Sequence, residues 1–243
     1  HNDRVIGGYD EESALRARDF YATFVKGNIH LTDATTAEMV KVLENTFRDV
    51  NIALANEAAL LCERLGIDYR ETARLANHHP RVRLHDAGPG VGGHCVPVDP
   101  WFLVEQFPEV SNVIRAARER NDAMPAHVVE LSLAMLENVS APKAAVLGAA
   151  FKGNVDDIRE SPSLKIVEML RACNVNVAVH DPHVVNGPMG LVGIDECLAD
   201  ADCLLVLTNH DVFKSLEPIQ AAKQMRGRNV LDAHNMLDHD AWR

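Results

Sequence analysis

From Thr36 to Leu65 the chain has neither glycine nor proline, and Gly66 closes the run. About thirty residues rising roughly 1.5 Å each make a rod of about 45 Å. Such a helix is longer than most in globular proteins, so it is expected to span the molecule or a dimer interface. Asp33 or Thr35 can cap its start, and Gly66 can end it in the left-handed conformation that glycine adopts most cheaply. At 100° per residue Glu38, Lys41, Asn45, Asp49 and Asn56 fall within one quadrant, while Val42, Leu43, Ile52, Ala53 and Leu60 lie mainly on other faces. A polar stripe on a long helix can be its solvated side. A lysine and an asparagine one turn apart can instead hold an oxyanion or an ordered water.

The 243 residues suffice for about two domains, and with 47% hydrophobic residues they can bury a sizeable core. A net charge of −11 with no basic stripe argues against nucleic acid as a partner. No apolar run approaches the roughly 18 residues of a membrane span. The polar, acidic start HNDRVIGGYDEE does not read as a signal peptide. Five cysteines, none in a C-x-x-C pair, argue against a disulfide framework and fit a reduced, cytoplasmic setting. Cys62 and Cys203 sit in apolar patterns and read as core residues.

Upstream of the rod, Arg4–Gly8 and Asn28–Thr32 read as short strands around a helix over about 11–25, with Leu15, Phe20, Phe24 and Val25 as its apolar contacts. Two strands and a helix do not make a domain, so residues 1–33 are expected to be the remnant of a preceding one. After Gly66, Asp68 caps a helix that stops before Pro80. Asp99-Pro100 begins another as cap and first residue, and helical patterns follow over about 110–121 and 126–139. At Ala141-Pro142 the period changes. Strands over about 143–147, 175–180, 204–207 and 229–231 alternate with helices from Pro162 and Pro218. The expected fold class is therefore α + α/β: an all-helical central domain, 34–140, built on one long helix, then a Rossmann-like parallel α/β domain, 141–243.

Gly88, Gly90 and Gly93 match G-x-G-x-x-G, but no clear strand precedes them and His94-Cys95-Val96-Pro97 follows in place of a helix. A dinucleotide fingerprint is therefore the poorer reading. A loop whose backbone approaches a ligand closely is the better one, beside a plain surface turn. Cys95 lies in this loop just ahead of a helix start. A thiol so placed can be activated as a nucleophile, or can be inert. His78, His79, His85 and His94 have no tetrahedral zinc spacing, and no metal site is expected. The segment from Ala150 to Pro162 joins a strand to a helix. Lys152 and Arg159 are thus expected at a strand's carboxyl end, where anions bind in open α/β sheets, unless they merely decorate a surface loop.

Three segments, AEMVKVLENTFRDVNIALANE, GPGVGGHCVPVDPWFL and AFKGNVDDIRESPS, together resemble the UDP-glucose/GDP-mannose dehydrogenase family, in the family's order and along essentially the whole chain. Within it, GVGGHC-x-P-V-DP with HPRV upstream looks most like the members acting on UDP-N-acetyl-D-mannosamine. UDP-glucose dehydrogenases usually carry lysine at the position of Val98. The resemblance implies a 6-dehydrogenase that oxidises a sugar's primary alcohol twice, with two NAD⁺, to a carboxylate. UDP-N-acetylglucosamine and UDP-glucose are the alternative substrates, and a non-catalytic UDP-sugar-binding fragment is the alternative role.

The resemblance also implies residue roles. Cys95 is the nucleophile that captures the aldehyde as a thiohemiacetal and is later acylated. Lys41 and Asn45 steady the oxyanion and water, and Asp99 helps activate that water. Arg81 reaches the substrate, and the loop from Leu84 through Gly90, Gly92 and Gly93 wraps the nucleotide sugar. Phe151 and Lys152 touch the substrate, and Arg159 touches NAD. Lys41 and Asn45 are expected to meet Cys95 across one cavity, with the UDP-sugar between the cysteine loop and Lys152. Homodimerisation through the long helix, a place in surface-polysaccharide formation, and inactivity of this chain alone, since the family's own NAD-binding domain and its glutamate find no match here, complete the expectation.

Overall fold

The computed structural model describes residues 2–185, 187 and 189–242. His1 and Arg243, at the ends of the expected 1–33 and 141–243 domains, lie outside the described residues, as do Asn186 and Pro188. Compactness divides the chain between Arg48 and Asp49, inside the long helix.

In the first unit, strands β1 (Arg4–Gly8) and β2 (Ile29–Asp33) pair in parallel around helix α1 (Glu11–Ala22). Asp10 caps α1 through the Ser13 N–H at 2.8 Å, and the Ser13 hydroxyl returns the bond to the Asp10 N–H. Phe20 and Phe24 are not buried contacts. They are 65% and 59% exposed and meet each other and Tyr21 at 5.4–5.8 Å between ring centres. Helix α2 (Ala34–Leu65) begins here. Its cap is Asp33 rather than Thr35, because the Asp33 carboxylate accepts from the Thr36 N–H (2.9 Å) and hydroxyl (2.7 Å). Those two bonds hold the Asp33 carboxyl below its ordinary pKa.

The second unit opens with the rest of α2. Gly66 stops it at φ +68°, with the Gly66 N–H on the Glu63 carbonyl and the Ile67 N–H on that of Cys62. Helix α3 (Tyr69–Ala76) is capped by Asp68. Helix α4 (Asp99–Gln106) has Asp99 as its first residue, not its cap: Val98 takes the cap position, and the N–H groups of Val98 and Asp99 both bond to the Cys95 carbonyl. Helix α5 (Asn112–Met135) is one helix where two were expected. Pro125 lies inside it, removing the N–H that would bond to the Asn121 carbonyl, yet the helix continues through it. Pro125 is buried, and its ring lies against Gly90.

Strands β3 (Lys143–Leu147), β4 (Asn176–His180), β5 (Cys203–Val206) and β6 (Asn229–Asp232) form a fully parallel sheet in the order β4-β3-β5-β6. Helix α6 (Pro162–Ala172) links β3 to β4, and short helices α7 (Ile194–Leu198) and α8 (Pro218–Gln224) follow. Alternate residues face opposite ways along each strand. Val146 and Leu205 join Ile166 and Leu170 of α6 and Val128 of α5 in one core, while Leu147 and Leu204 join Leu198 and Phe213 in the other. The sheet is thus covered on both faces, which gives the α + α/β class expected. Cys62 and Cys203 are buried as expected, and burial pushes the Cys203 thiol up to about 12.

Candidate active site

The chain leaves β3 toward β4 and later returns to the other side as β5, so the strand order reverses between β3 and β5. Open parallel sheets bind ligands in the crevice at the carboxyl ends of such strands. Here that crevice holds Gly148–Asn154 after β3 and Thr208–Asp211 after β5. It opens into a cleft of about 890 Å³, a size that suits a small-molecule ligand. The walls include Leu84, Gly88, Lys152, Asn154, Asn209 and His234.

Of the expected residues, Leu84 and Lys152 line this cleft. The Asn77 side chain clasps the Leu84 backbone from both sides, its oxygen taking the N–H (2.7 Å) and its nitrogen giving to the carbonyl (3.1 Å). Tyr69 holds the neighbouring His85 carbonyl at 2.6 Å. Burial, with the Asp86 charge beside it, pushes the Tyr69 hydroxyl up to about 12, so it stays a donor. Arg81 is exposed on the surface before this stretch.

The glycine loop is held by packing. An added Cβ on Gly92 would lie 2.6 Å from the Phe151 Cβ, and one on Gly93, at φ +91°, 3.1 Å from the Phe151 ring. At Gly90, φ +133°, it would meet the Asn121 carbonyl and the rings of Pro162 and Pro125 at 3.2–3.4 Å. The Gly93 N–H donates to the Arg159 carbonyl (2.9 Å). The cysteine loop is therefore clasped to the 151–161 segment, with Cys95 half-buried beyond the clasp. Arg159 points its guanidinium at Asp157 (2.6–3.1 Å). That hydrogen bond brings the Asp157 carboxyl down to about 2 and raises Arg159, which the charged form of Cys95 raises slightly further. In the first unit, the exposed Lys41 places Nζ 3.5 Å from Oδ1 of Asn45, which is buried.

Two buried networks behind these loops were not legible beforehand. Asp49 and Asn56 are not on a solvated stripe: both are fully buried. Arg118 reaches Asp49 at 2.5 Å and also bonds Asp122, and Asn121 donates to Asp49. Asn56 then bonds Asn121 (2.9 Å) and accepts from the Gly88 N–H (2.9 Å), tying α2 and α5 to the loop. The second network centres on Asp181. It accepts from the N–H groups of Ala149, Ala150, His183 and Val184 and from His210 Nε2. The only signals in the sequence were an aspartate directly after one strand and a histidine soon after the next.

Two descriptions of one family match this chain: the UDP-glucose/GDP-mannose dehydrogenase family's central domain over residues 35–123 and its UDP binding domain over residues 145–239. The chain belongs to this family. It is 45% identical over 247 residues to a Methanococcus maripaludis protein named UDP-N-acetyl-D-mannosamine dehydrogenase, covering 100% of this chain and 58% of that one. It is 41% identical over 241 residues to a Ralstonia nicotianae protein named NDP-N-acetyl-D-galactosaminuronic acid dehydrogenase, covering 97% of this chain and 56% of that one. The solved UDP-D-ManNAc dehydrogenase of Pyrococcus horikoshii superposes with a TM-score of 0.92 at 44% identity, over 98% of this chain and 57% of that one. The chain thus spans less than three fifths of the length of these relatives.

Proposed function

We propose that this chain forms the sugar-holding part of a nucleotide-sugar 6-dehydrogenase whose substrate is UDP-N-acetyl-D-mannosamine. The observation that carries the reading is the clasp of Gly93 on Arg159, with Gly92 and Gly93 against Phe151. It fastens the thiol-bearing loop to the strand-end crevice that holds Lys152. The identity to the M. maripaludis relative along the whole chain supports the choice of sugar.

In this reading the Lys152 ammonium meets the diphosphate, and the Leu84–Gly93 loop holds the nucleotide sugar with the reach of Arg81. Cys95 Sγ adds to the carbonyl carbon of the C6 aldehyde. The oxygen takes up the resulting charge and then a proton, giving a thiohemiacetal. After the second oxidation, water attacks the thioester carbonyl and the thiolate leaves, restoring Cys95 and releasing the carboxylate. Asp99, whose backbone N–H bonds the Cys95 carbonyl, is the residue the family resemblance gives to taking a proton from that water. Lys41 and Asn45 enter as the pair the family resemblance gives to the oxyanion and the water. Pairing of two copies along α2, which exposes Leu54, Leu61 and Leu65 in the second unit, belongs to the same reading.

The oxidant implied by the resemblance is NAD⁺, with Arg159 as its contact. The described residues do not assemble a fold for it. Gly88–Gly93 packs against protein, and an added Cβ at Gly7 or Gly8 in the βαβ unit would lie within 2.7 Å of neighbouring atoms of that unit.

Peptide mapping after brief iodoacetamide treatment near neutral pH tests the nucleophile. Cys95 should be labelled much faster than Cys62, and UDP-N-acetylmannosamine should protect it. Labelling of Cys95 no faster than Cys62 would remove the nucleophile from the reading. The chain alone, mixed with that sugar nucleotide and NAD⁺, should form no NADH.

A further inference from the structure

We propose that His210 is a positioning residue: held by Asp181 with its proton on Nε2, it fixes the Gly153–Asn154 turn and thereby sets where the Lys152 ammonium meets a bound diphosphate. The ligand half of this inference rests on the nucleotide-sugar reading; the loop half does not.

His210 is completely buried. Its Nδ1 lies 2.8 Å from the Asn154 backbone nitrogen, which can only donate, so Nδ1 is bare. Nε2, 3.0 Å from Asp181 Oδ2, therefore carries the proton. Asp181 cannot turn away, because four backbone amides hold its two oxygens at 2.7–3.2 Å. Burial alone would raise the Asp181 carboxyl; the His210 bond and these amides overcome it and hold the group well below its ordinary pKa. The pair thus ties together the carboxyl ends of β3, β4 and β5.

The turn it holds leaves little freedom. Asn154 sits at φ +60°, its side chain bonded to Asp211 in both directions (2.7 and 3.0 Å). The Gly153 N–H bonds Asn209 Oδ1 (3.0 Å), and a Cβ on Gly153 would lie 2.3 Å from the Asn209 carbonyl oxygen. Lys152, one residue earlier, is exposed and lines the cleft. Among the described residues its ammonium has no hydrogen bond or ion pair, unlike Lys214 on the same cleft, which holds Asp211 at 2.6 Å. A cation with no protein partner, on a backbone held at the next two amides, is suited to an anionic ligand.

A double-mutant cycle tests this. UDP-N-acetylmannosamine is titrated calorimetrically into the wild-type chain, His210→Gln, Lys152→Ala and the double variant, with amide exchange followed in the first two. Glutamine can place its amide nitrogen where Nε2 gives to Asp181, which leaves no acceptor at the Nδ1 position that faces the Asn154 N–H. His210→Gln should weaken binding about tenfold by orphaning that N–H, Lys152→Ala by at least as much, and the double variant no more than Lys152→Ala alone. Exchange at Asn154 should quicken at least about tenfold in His210→Gln while Val146 in β3 is unchanged. In the wild type, the imidazole ¹⁵N spectrum should show the proton on Nε2 with Nδ1 bare. A full further loss in the Lys152→Ala background, unaltered exchange at Asn154, or a proton on Nδ1 would each overturn the proposal. If His210→Gln fails to fold, the wild-type ¹⁵N spectrum decides it instead: a proton on Nδ1 would overturn the proposal. Absence of binding by the wild type would sink the functional reading and the ligand half with it; the exchange data would still decide whether His210 holds the loop.

Discussion

Asp49 and Asp181 are both buried carboxylates beside a nitrogen base, yet their surroundings push them in opposite directions. Burial raises the Asp49 carboxyl despite Arg118 and Asn121, whereas hydrogen bonds carry Asp181 below its ordinary value despite burial. The difference lies in the donors. Asp181 receives five, on both oxygens, four of them rigid backbone amides. Asp49 receives side-chain donors on Oδ1 alone; among the described residues Oδ2 has no partner, and Arg118 is shared with Asp122. A formal ion pair at 2.5 Å thus stabilises its anion less than a nest of amides does.

The largest effect that would sharpen this contrast is Asp181→Asn. An amide accepts on one side only and turns an N–H toward other N–H groups, so urea unfolding near pH 7 should show a loss of about 3–5 kcal/mol. A loss under about 1 kcal/mol would break the comparison from this side. Arg118→Met comes next, at about 2–4 kcal/mol, since it strands Asp49 without its cation. Asp49→Asn should cost about 1 kcal/mol or less, because the charge it removes is poorly compensated.

The pH dependences should run in opposite senses. A raised pKa gives stability that is present below the ordinary carboxylate value and lost as pH rises through the folded one. The deficit of Asp49→Asn against wild type should therefore shrink from pH 4 to pH 7. A lowered pKa gives stability that is present above the ordinary value and lost only as pH falls toward the folded one. The deficit of Asp181→Asn should stay full from pH 7 to about pH 4 and shrink only in stronger acid. Parallel curves for the two variants would show that the two carboxylates do not differ as described.

The same two regions show what the sequence can and cannot disclose. Local chemistry was legible: the stop at Gly66, the cap at Asp68 and the strand–loop–helix around Lys152 depend on residues a few positions apart. For Asp49 and Asn56 the sequence left a solvated side open beside a functional stripe, because their partners Arg118 and Asn121 lie 65–72 residues away on α5. Two helical patterns over about 110–121 and 126–139 form one helix through Pro125: its missing N–H is a local cost, while the packing beside it, Gly90 against its ring, is a distant contact. The glycines of 88–93 signalled close approach, and what approaches them is protein: His234 at Gly88, Phe151 at Gly92 and Gly93. His210 and Asp181 belong to different strand ends, and only the sheet order brings them together.

The central claim is that Cys95 carries the sugar through its oxidation, and turnover tests it most directly. On a protein that joins this chain to a dinucleotide-binding domain, UDP-N-acetylmannosamine with excess NAD⁺ should yield two NADH per sugar consumed. Cys95→Ala should lower that rate by about a thousandfold or more. Two NADH per sugar from Cys95→Ala at within about tenfold of the wild-type rate would contradict the account.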